Sequence, residues 1–231
     1  MSEGKYGKIL TIILGIVVIA VLILLGFLGY DVYRKKTIDK DTSKVLDDFD
    51  TKLNSIARND TVENVELPDI DLPTVENVTT NTNTTTGGNS SGNTTKRVQY
   101  KGYNVDGKIQ IPAINLEYPI LEKVTPSSIE AAVAILYSAN GLNQPGNTVI
   151  SGHNYRNGSF FGNNDKLKLG DKVYITDNSG TKVKYNIYNI YETSPDDGDF
   201  ITRETNGKRE ISLQTCTDNS KGRLIIWAVE E

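Results

Sequence analysis

The sequence predicts an all-β domain with short helices, a closed barrel or sandwich, carried behind an apolar helix and a flexible linker. Three observations predict it. Residues 9–28 form an uninterrupted stretch without charge, residues 59–97 are dominated by Asn, Thr, Gly and acidic side chains without an aromatic, and residues 98–231 alternate short β-rich runs with turn signals.

The apolar stretch is about 20 residues, enough at 1.5 Å per residue to span a hydrocarbon core of roughly 30 Å. Lys5 and Lys8 precede it, and Tyr30 and Tyr33 follow at the interface position. It is longer than the apolar region of a cleaved signal peptide, so residues 1–30 read as a short tip and an uncleaved membrane anchor. Basic residues flank it almost equally, with Arg34, Lys35 and Lys36 on the far side. The charge count therefore leaves orientation open.

Over residues 31–58, Ile38, Val45, Leu46, Phe49, Leu53 and Ile56 recur at helical steps between polar residues. That is an amphipathic helix with a narrow stripe, suited to extending the anchor, self-associating or packing on the following domain. Residues 59–97 are rich in Asn, Thr, Gly and acidic side chains and read as a disordered stalk holding a domain off the membrane.

The remaining residues, 98–231, are enough to bury about two-thirds of their unfolded surface without disulfide or metal. Strands are predicted at 108–111, 116–121, 148–151, 172–176, 182–191, 210–215 and 223–229. One helix is predicted at 127–136, opened by Pro126 and Ser127, with Ile129, Ala132, Val133 and Leu136 on its apolar face.

Composition excludes several functions. The chain of 231 residues carries a net charge of −4, which gives nucleic acid no basic face. One Cys and one His leave no intramolecular disulfide and no site built on several His or Cys ligands, and no cofactor or metal is expected. The acidic run Asp196-Asp197-Gly198-Asp199 reads as a solvated loop.

Chemistry gathers around the single thiol. Strand alternation turns Ile211, Leu213 and Thr215 inward and places Ser212, Gln214 and Cys216 on the outer face. Residues 217–222 read as a hairpin end. If it closes symmetrically, Cys216 faces Arg223 across the ladder, with Cβ atoms about 4.5–5.5 Å apart. A guanidinium there favours the thiolate and can donate to a developing oxyanion. Taken alone, such a pair is more often incidental than catalytic. His153 adds to it, at the end of the apolar run Thr148-Val149-Ile150-Ser151-Gly152, because imidazole can protonate a leaving amine and activate the second nucleophile.

The segment Val149-Ile150-Ser151-Gly152-His153-Asn154, then Phe160-Phe161-Gly162 and Leu167-Lys168-Leu169-Gly170-Asp171, resembles the histidine region of sortases. Leu213-Gln214-Thr215-Cys216 followed by Arg223-Leu224-Ile225-Ile226 resembles their Thr-x-Thr-Cys…Arg signature, with Ser212 in place of the first Thr. The resemblance covers about residues 105–231. It implies an eight-stranded β-barrel displayed outside a bacterial plasma membrane by a single-pass anchor. It further implies a cysteine transpeptidase that cleaves the LPXTG-like sorting signal of secreted proteins. The acyl-enzyme then passes to an amine of a peptidoglycan precursor or a pilin. Residue by residue, Cys216 would be the nucleophile, His153 the acid and base, Arg223 the oxyanion partner, and Thr215 a support beside the thiol. The turn at 138–147 has no acidic residue and so lacks the calcium-site carboxylates that some members carry there.

L,D-transpeptidases place their His beside the Cys, and papain-like peptidases place Cys before His; neither order is found here. The alternative from another class is a non-catalytic membrane-tethered surface binding module. Such proteins usually carry their own sorting signal, and this chain ends Leu-Ile-Ile-Trp-Ala-Val-Glu-Glu.

Overall fold

The computed structural model describes residues 3–59, 97–217 and 220–231. The linker expected at 59–97 therefore lies, apart from its ends, outside the described residues.

The first element, α1 (Glu3–Asn59), is one unbroken helix that joins the expected anchor to the expected amphipathic segment. Its first part is long and apolar enough to cross a membrane. Among the described residues, the large apolar side chains from Tyr6 to Tyr33 are 47% to 71% exposed. Its later part behaves differently. Thr42, Val45, Leu46 and Phe49 are buried, and Ile38 and Leu53 pack against the same core. Phe49 is 1% exposed, and burying such a ring is worth about 1.5–3 kcal/mol. Polar bonds flank the stripe: Lys108 donates to Asp50 at 2.6 Å, and Tyr118 donates to Asp39 at 3.1 Å. The stripe is thus a packing face, and the helix lies along the barrel that follows.

That barrel has a two-residue strand, β1 (Gln99–Tyr100), appended to eight others. These are β2 (Tyr103–Ile111), β3 (Leu116–Leu121), β4 (Val133–Ser138), β5 (Gly146–Ser151), β6 (Lys172–Asp177), β7 (Lys182–Thr193), β8 (Arg209–Thr217) and β9 (Gly222–Glu230). The order is β1-β2-β3-β4-β5-β8-β9-β7-β6, and a β2–β6 ladder closes the eight strands into a ring. Closure leaves the ring no free edge to aggregate. Most pairs are antiparallel, but β3–β4 and β5–β8 are parallel. Alternate residues such as Ile109, Ile111, Leu213 and Ile226 fill the interior.

One sequence expectation is corrected. The helix expected at 127–136 is only α2 (Pro126–Ile129), and Val133–Ser138 forms strand β4 between β3 and β5. The start signal was sound, since Thr125 and Ser128 form a capping box around Pro126. The stop was hidden because residues 131–134 are buried all round, and a short, wholly buried apolar run has no periodicity to separate strand from helix. The barrel's need for a strand between β3 and β5 decides it.

A second apolar cluster sits outside the ring. Val149, Phe200 and Ile225, with Tyr137, Tyr191, Ile201 and Trp227, seal the loop after β7 onto the outer face of β5, β8 and β9. Ser212, expected on an outer face, is on that face but fully buried beneath this loop, where it donates to Asn147 at 3.0 Å. Asn147 also donates to the carbonyls of Phe200 and Ile201. Arg203 pairs with Glu210 and lies 4.5 Å over the Trp227 ring.

Candidate active site

Strand register brings the sequence-predicted residues together. Cys216 is the direct partner of Arg223 in the β8–β9 ladder, and Thr217 pairs with Gly222, so the hairpin closes symmetrically as expected. Asp218 and Asn219, inside that hairpin, are outside the described residues. Cys216 is free and half-buried, at the end of its strand. The Arg223 guanidinium turns toward its own hairpin, donating to the carbonyls of Ser220 and Gly222 at 3.2 and 2.9 Å.

On the other side of β8 lies β5, parallel, with Ser151 opposite Gln214. Counting two residues on along each chain brings His153 level with Cys216. Three further bonds hold the segment there. Gly152 N–H donates to the Gln214 carbonyl, Thr215 Oγ1 donates to the Gly152 carbonyl at 2.7 Å, and Asn154 Nδ2 donates to the Cys216 carbonyl at 2.9 Å. His153, Cys216 and Arg223 therefore form one row across three neighbouring chain segments, with the thiol in the middle. Thr215, buried beneath it, ties the thiol-bearing strand to the histidine-bearing one.

The histidine loop is set by the residues that made the motif. Phe160 and Phe161 are fully buried, and Phe161 N–H donates to the His153 carbonyl at 3.0 Å. A Cβ on Gly152 would lie 2.8 Å from the Phe161 ring and 2.9 Å from Val133. A Cβ on Gly162 would come within 2.3 Å of the Tyr155 carbonyl, so only glycine lets the loop fold back on itself there.

Around His153 stand groups that sequence reasoning missed. Glu130, at the end of α2, places Oε1 3.1 Å from His153 Nε2. Nε2 is buried, and its approach to Oε1 falls outside hydrogen-bond geometry. The Tyr155 ring lies 5.0 Å from the imidazole, and its hydroxyl donates to Glu130 Oε2 at 2.5 Å. Arg34 of α1 reaches both, donating to Tyr155 Oη at 2.9 Å and pairing with Glu130 at 3.1 Å. The Tyr155 hydrogen bond, helped by the charges of His153 and Arg34, holds the Glu130 carboxyl below its ordinary range. Burial, reinforced by Glu130, pushes Tyr155 up to about 12, so it stays a donor. No local signal marks Glu130, Tyr155 or Arg34, because their meeting depends on segments far apart in the chain.

Asp197, from the acidic run, spends its carboxylate on its own turn, accepting from Thr193 Oγ1 and from the Asp199 N–H. A cleft of about 570 Å3 lies between α1 and the barrel, lined in part by Lys35, Asp39, Glu117, Tyr118 and Phe160, beside the Cys216 row rather than at it.

A closed eight-stranded barrel with Cys, His and Arg aligned across adjacent strand ends defines a thiol-centred class of barrel proteins. The chain belongs to the sortase family: the sortase domain model matches residues 109–231. Sortase A of Bacillus anthracis is 34% identical over 125 residues, 52% of this chain and 58% of that protein. Sortase A from Corynebacterium diphtheriae superposes with a TM-score of 0.51 at 28% identity, covering 56% of this chain and 61% of the other. A Clostridium perfringens sortase D5 transpeptidase gives 0.50 at 29% identity, covering 55% and 79%. The chain thus spans less than two-thirds of the length of the first two relatives. These likenesses also fit the eight-stranded barrel that the motifs implied.

Proposed function

We propose that this protein is a membrane-anchored cysteine transpeptidase acting on the C-terminal, LPXTG-like sorting signals of secreted proteins. The row formed by His153, Cys216 and Arg223 carries the reading. The Cys216 thiolate attacks the carbonyl of the scissile peptide bond. Arg223 swings from its hairpin carbonyls to stabilise the oxyanion. The C–N bond breaks as His153 protonates the leaving amine, and a thioester remains on Cys216. An acceptor amine, from a peptidoglycan precursor or a pilin, then attacks the thioester and gives its proton to His153. The new amide leaves and the thiolate returns. Thr215 keeps the two strands in register throughout.

Residues 9–28 of α1 serve as a single-pass anchor in a bacterial plasma membrane, with the barrel on the extracytoplasmic side. The exposed apolar surface there, continuous with a helix docked on the barrel, supports this reading.

The test incubates the full chain in detergent micelles with an LPXTG-type peptide library and an amine, with Cys216→Ala as control. Mass spectrometry should find a thioester adduct on Cys216 and a ligated product, both lost in the variant. A folded protein that forms no adduct with any peptide, and whose thiol ignores small electrophiles, would sink the proposal in favour of a non-catalytic tethered module.

A further inference from the structure

We infer that Glu130 and Arg34 are positioning residues for His153, so that the docked half of α1 is a working part of the active site. The inference rests on the reading of His153 as the proton-transfer group. It extends that reading to a segment lying more than a hundred residues earlier in the chain.

The geometry divides the Glu130 carboxylate between two duties. Oε1 faces the buried Nε2 of His153 at 3.1 Å, while Oε2 accepts from Tyr155 and Arg34. Tyr155 is fixed in turn: it accepts from Arg34, donates to Glu130, and has the guanidinium 4.3 Å over its ring. A carboxylate held from one side in this way can face the imidazole from a set direction. Without Arg34 it would keep only the Tyr155 hydroxyl as a restraint, and that hydroxyl would lose its own partner, while Glu130 is more than half exposed. A second contact backs the first. One helical turn before Arg34, the Asp31 carbonyl accepts from Asn157 in the histidine loop at 3.3 Å. Among the described residues, the charged and titratable groups in this network are Glu130 from α2, Arg34 from α1 and Tyr155 from its own loop, with Cys216 of β8 and Arg223 of β9 following in the strand row.

The placement along the helix gives the contact its meaning. Arg34 follows Leu28, the last residue of the apolar stretch, by six positions, a rise of about 9 Å. The side chain that steadies the histidine network is therefore rooted beside the anchor itself. Removing all of α1, and not just its apolar stretch, would also remove Arg34 from the site.

The experiment exploits the single His of the chain. Full-length protein with 15N-labelled histidine, in micelles, gives one imidazole spin system and thus a direct view of His153. Four proteins are compared: the parent, Glu130→Gln, Arg34→Ala and Asp50→Asn. Asp50 pairs with Lys108 at the other end of the docked segment, away from the site, and so controls for looser docking alone. One sharp ring conformer is expected in the parent and in Asp50→Asn, and broadened or doubled ring signals in Glu130→Gln and Arg34→Ala. With a turned-over peptide, kcat falls about ten- to a hundredfold in Glu130→Gln at unchanged KM. It falls less in Arg34→Ala, and Arg34→Lys recovers part, because an ammonium keeps the charge but not the fork. Parent-like ring signals in Glu130→Gln and Arg34→Ala overturn the inference, as does equal damage in Asp50→Asn. Full activity in His153→Ala overturns instead the role of His153 on which it rests.

Discussion

Cys216 and Arg223 are held by main-chain ladders, whereas His153 is held by a loop and a set of side chains drawn from α1 and α2. The first half of the site cannot slip without moving every side chain of β8 or β9 to the opposite face. The second half lies two residues beyond its ladder, which ends with Ser151 opposite Gln214. Its precision depends on Thr215 and Asn154 on one side and on the Glu130–Tyr155–Arg34 network on the other. The contrast teaches that one row of reacting groups can draw its order from two kinds of constraint. Substitutions should separate them, the ladder half responding in chemistry alone and the other half in chemistry together with local order.

The largest expected effect tests the helix that supports the histidine side. Phe49→Ala removes a ring that is 1% exposed and should cost about 3–5 kcal/mol, read as a drop in the denaturation midpoint of the full chain. Next, Arg223→Ala should lower kcat about 10²- to 10³-fold, roughly 2.7–4 kcal/mol, with thermal stability nearly unchanged. A large loss of stability there would mean that the ladder half also depends on side chains. Thr215→Val keeps the shape but removes the donor to the Gly152 carbonyl, and about 1–3 kcal/mol of stability should go with it. Its sharper signature is disturbed His153 ring signals, since Gly152 is the residue before it.

The smallest effect is that of acid. The Glu130 carboxyl is depressed in the folded protein, so its contribution is present above the ordinary value of 4.5 and is lost as pH falls through the lowered one. The pair with Arg34 is half exposed, which limits its worth to about 0–1 kcal/mol. Hydrogen-exchange protection of the histidine loop, corrected for the intrinsic pH dependence of exchange, should therefore match at neutral pH and pH 6, and fall slightly only below about 4.5. Lower protection already at pH 6 would show that some other group governs the loop.

Much of this arrangement is legible in the residues. The Cys216–Arg223 pairing follows from a short hairpin and strand alternation. The stripe Ile38, Val45, Leu46, Phe49 and Leu53 announces a packing face, and the histidine motif marks a strand end. The same local logic failed at 131–134, where complete burial erases the period that tells strand from helix. It also could not show that Ser212 lies beneath a loop, because an outer face looks polar until something covers it.

By itself, the sequence determined what depends on neighbours along the chain: the apolar length of α1, its stripe, the strand periods, and the hairpin that sets a thiol opposite a guanidinium. Tertiary structure alone decided where α1 lies, that β4 enters the ring, and that Arg34, Glu130 and Tyr155 converge on His153. The physical reason is separation. Arg34 meets Glu130 across 96 positions and Tyr155 across 121. Contacts of that span come from packing the whole barrel, which no local pattern encodes.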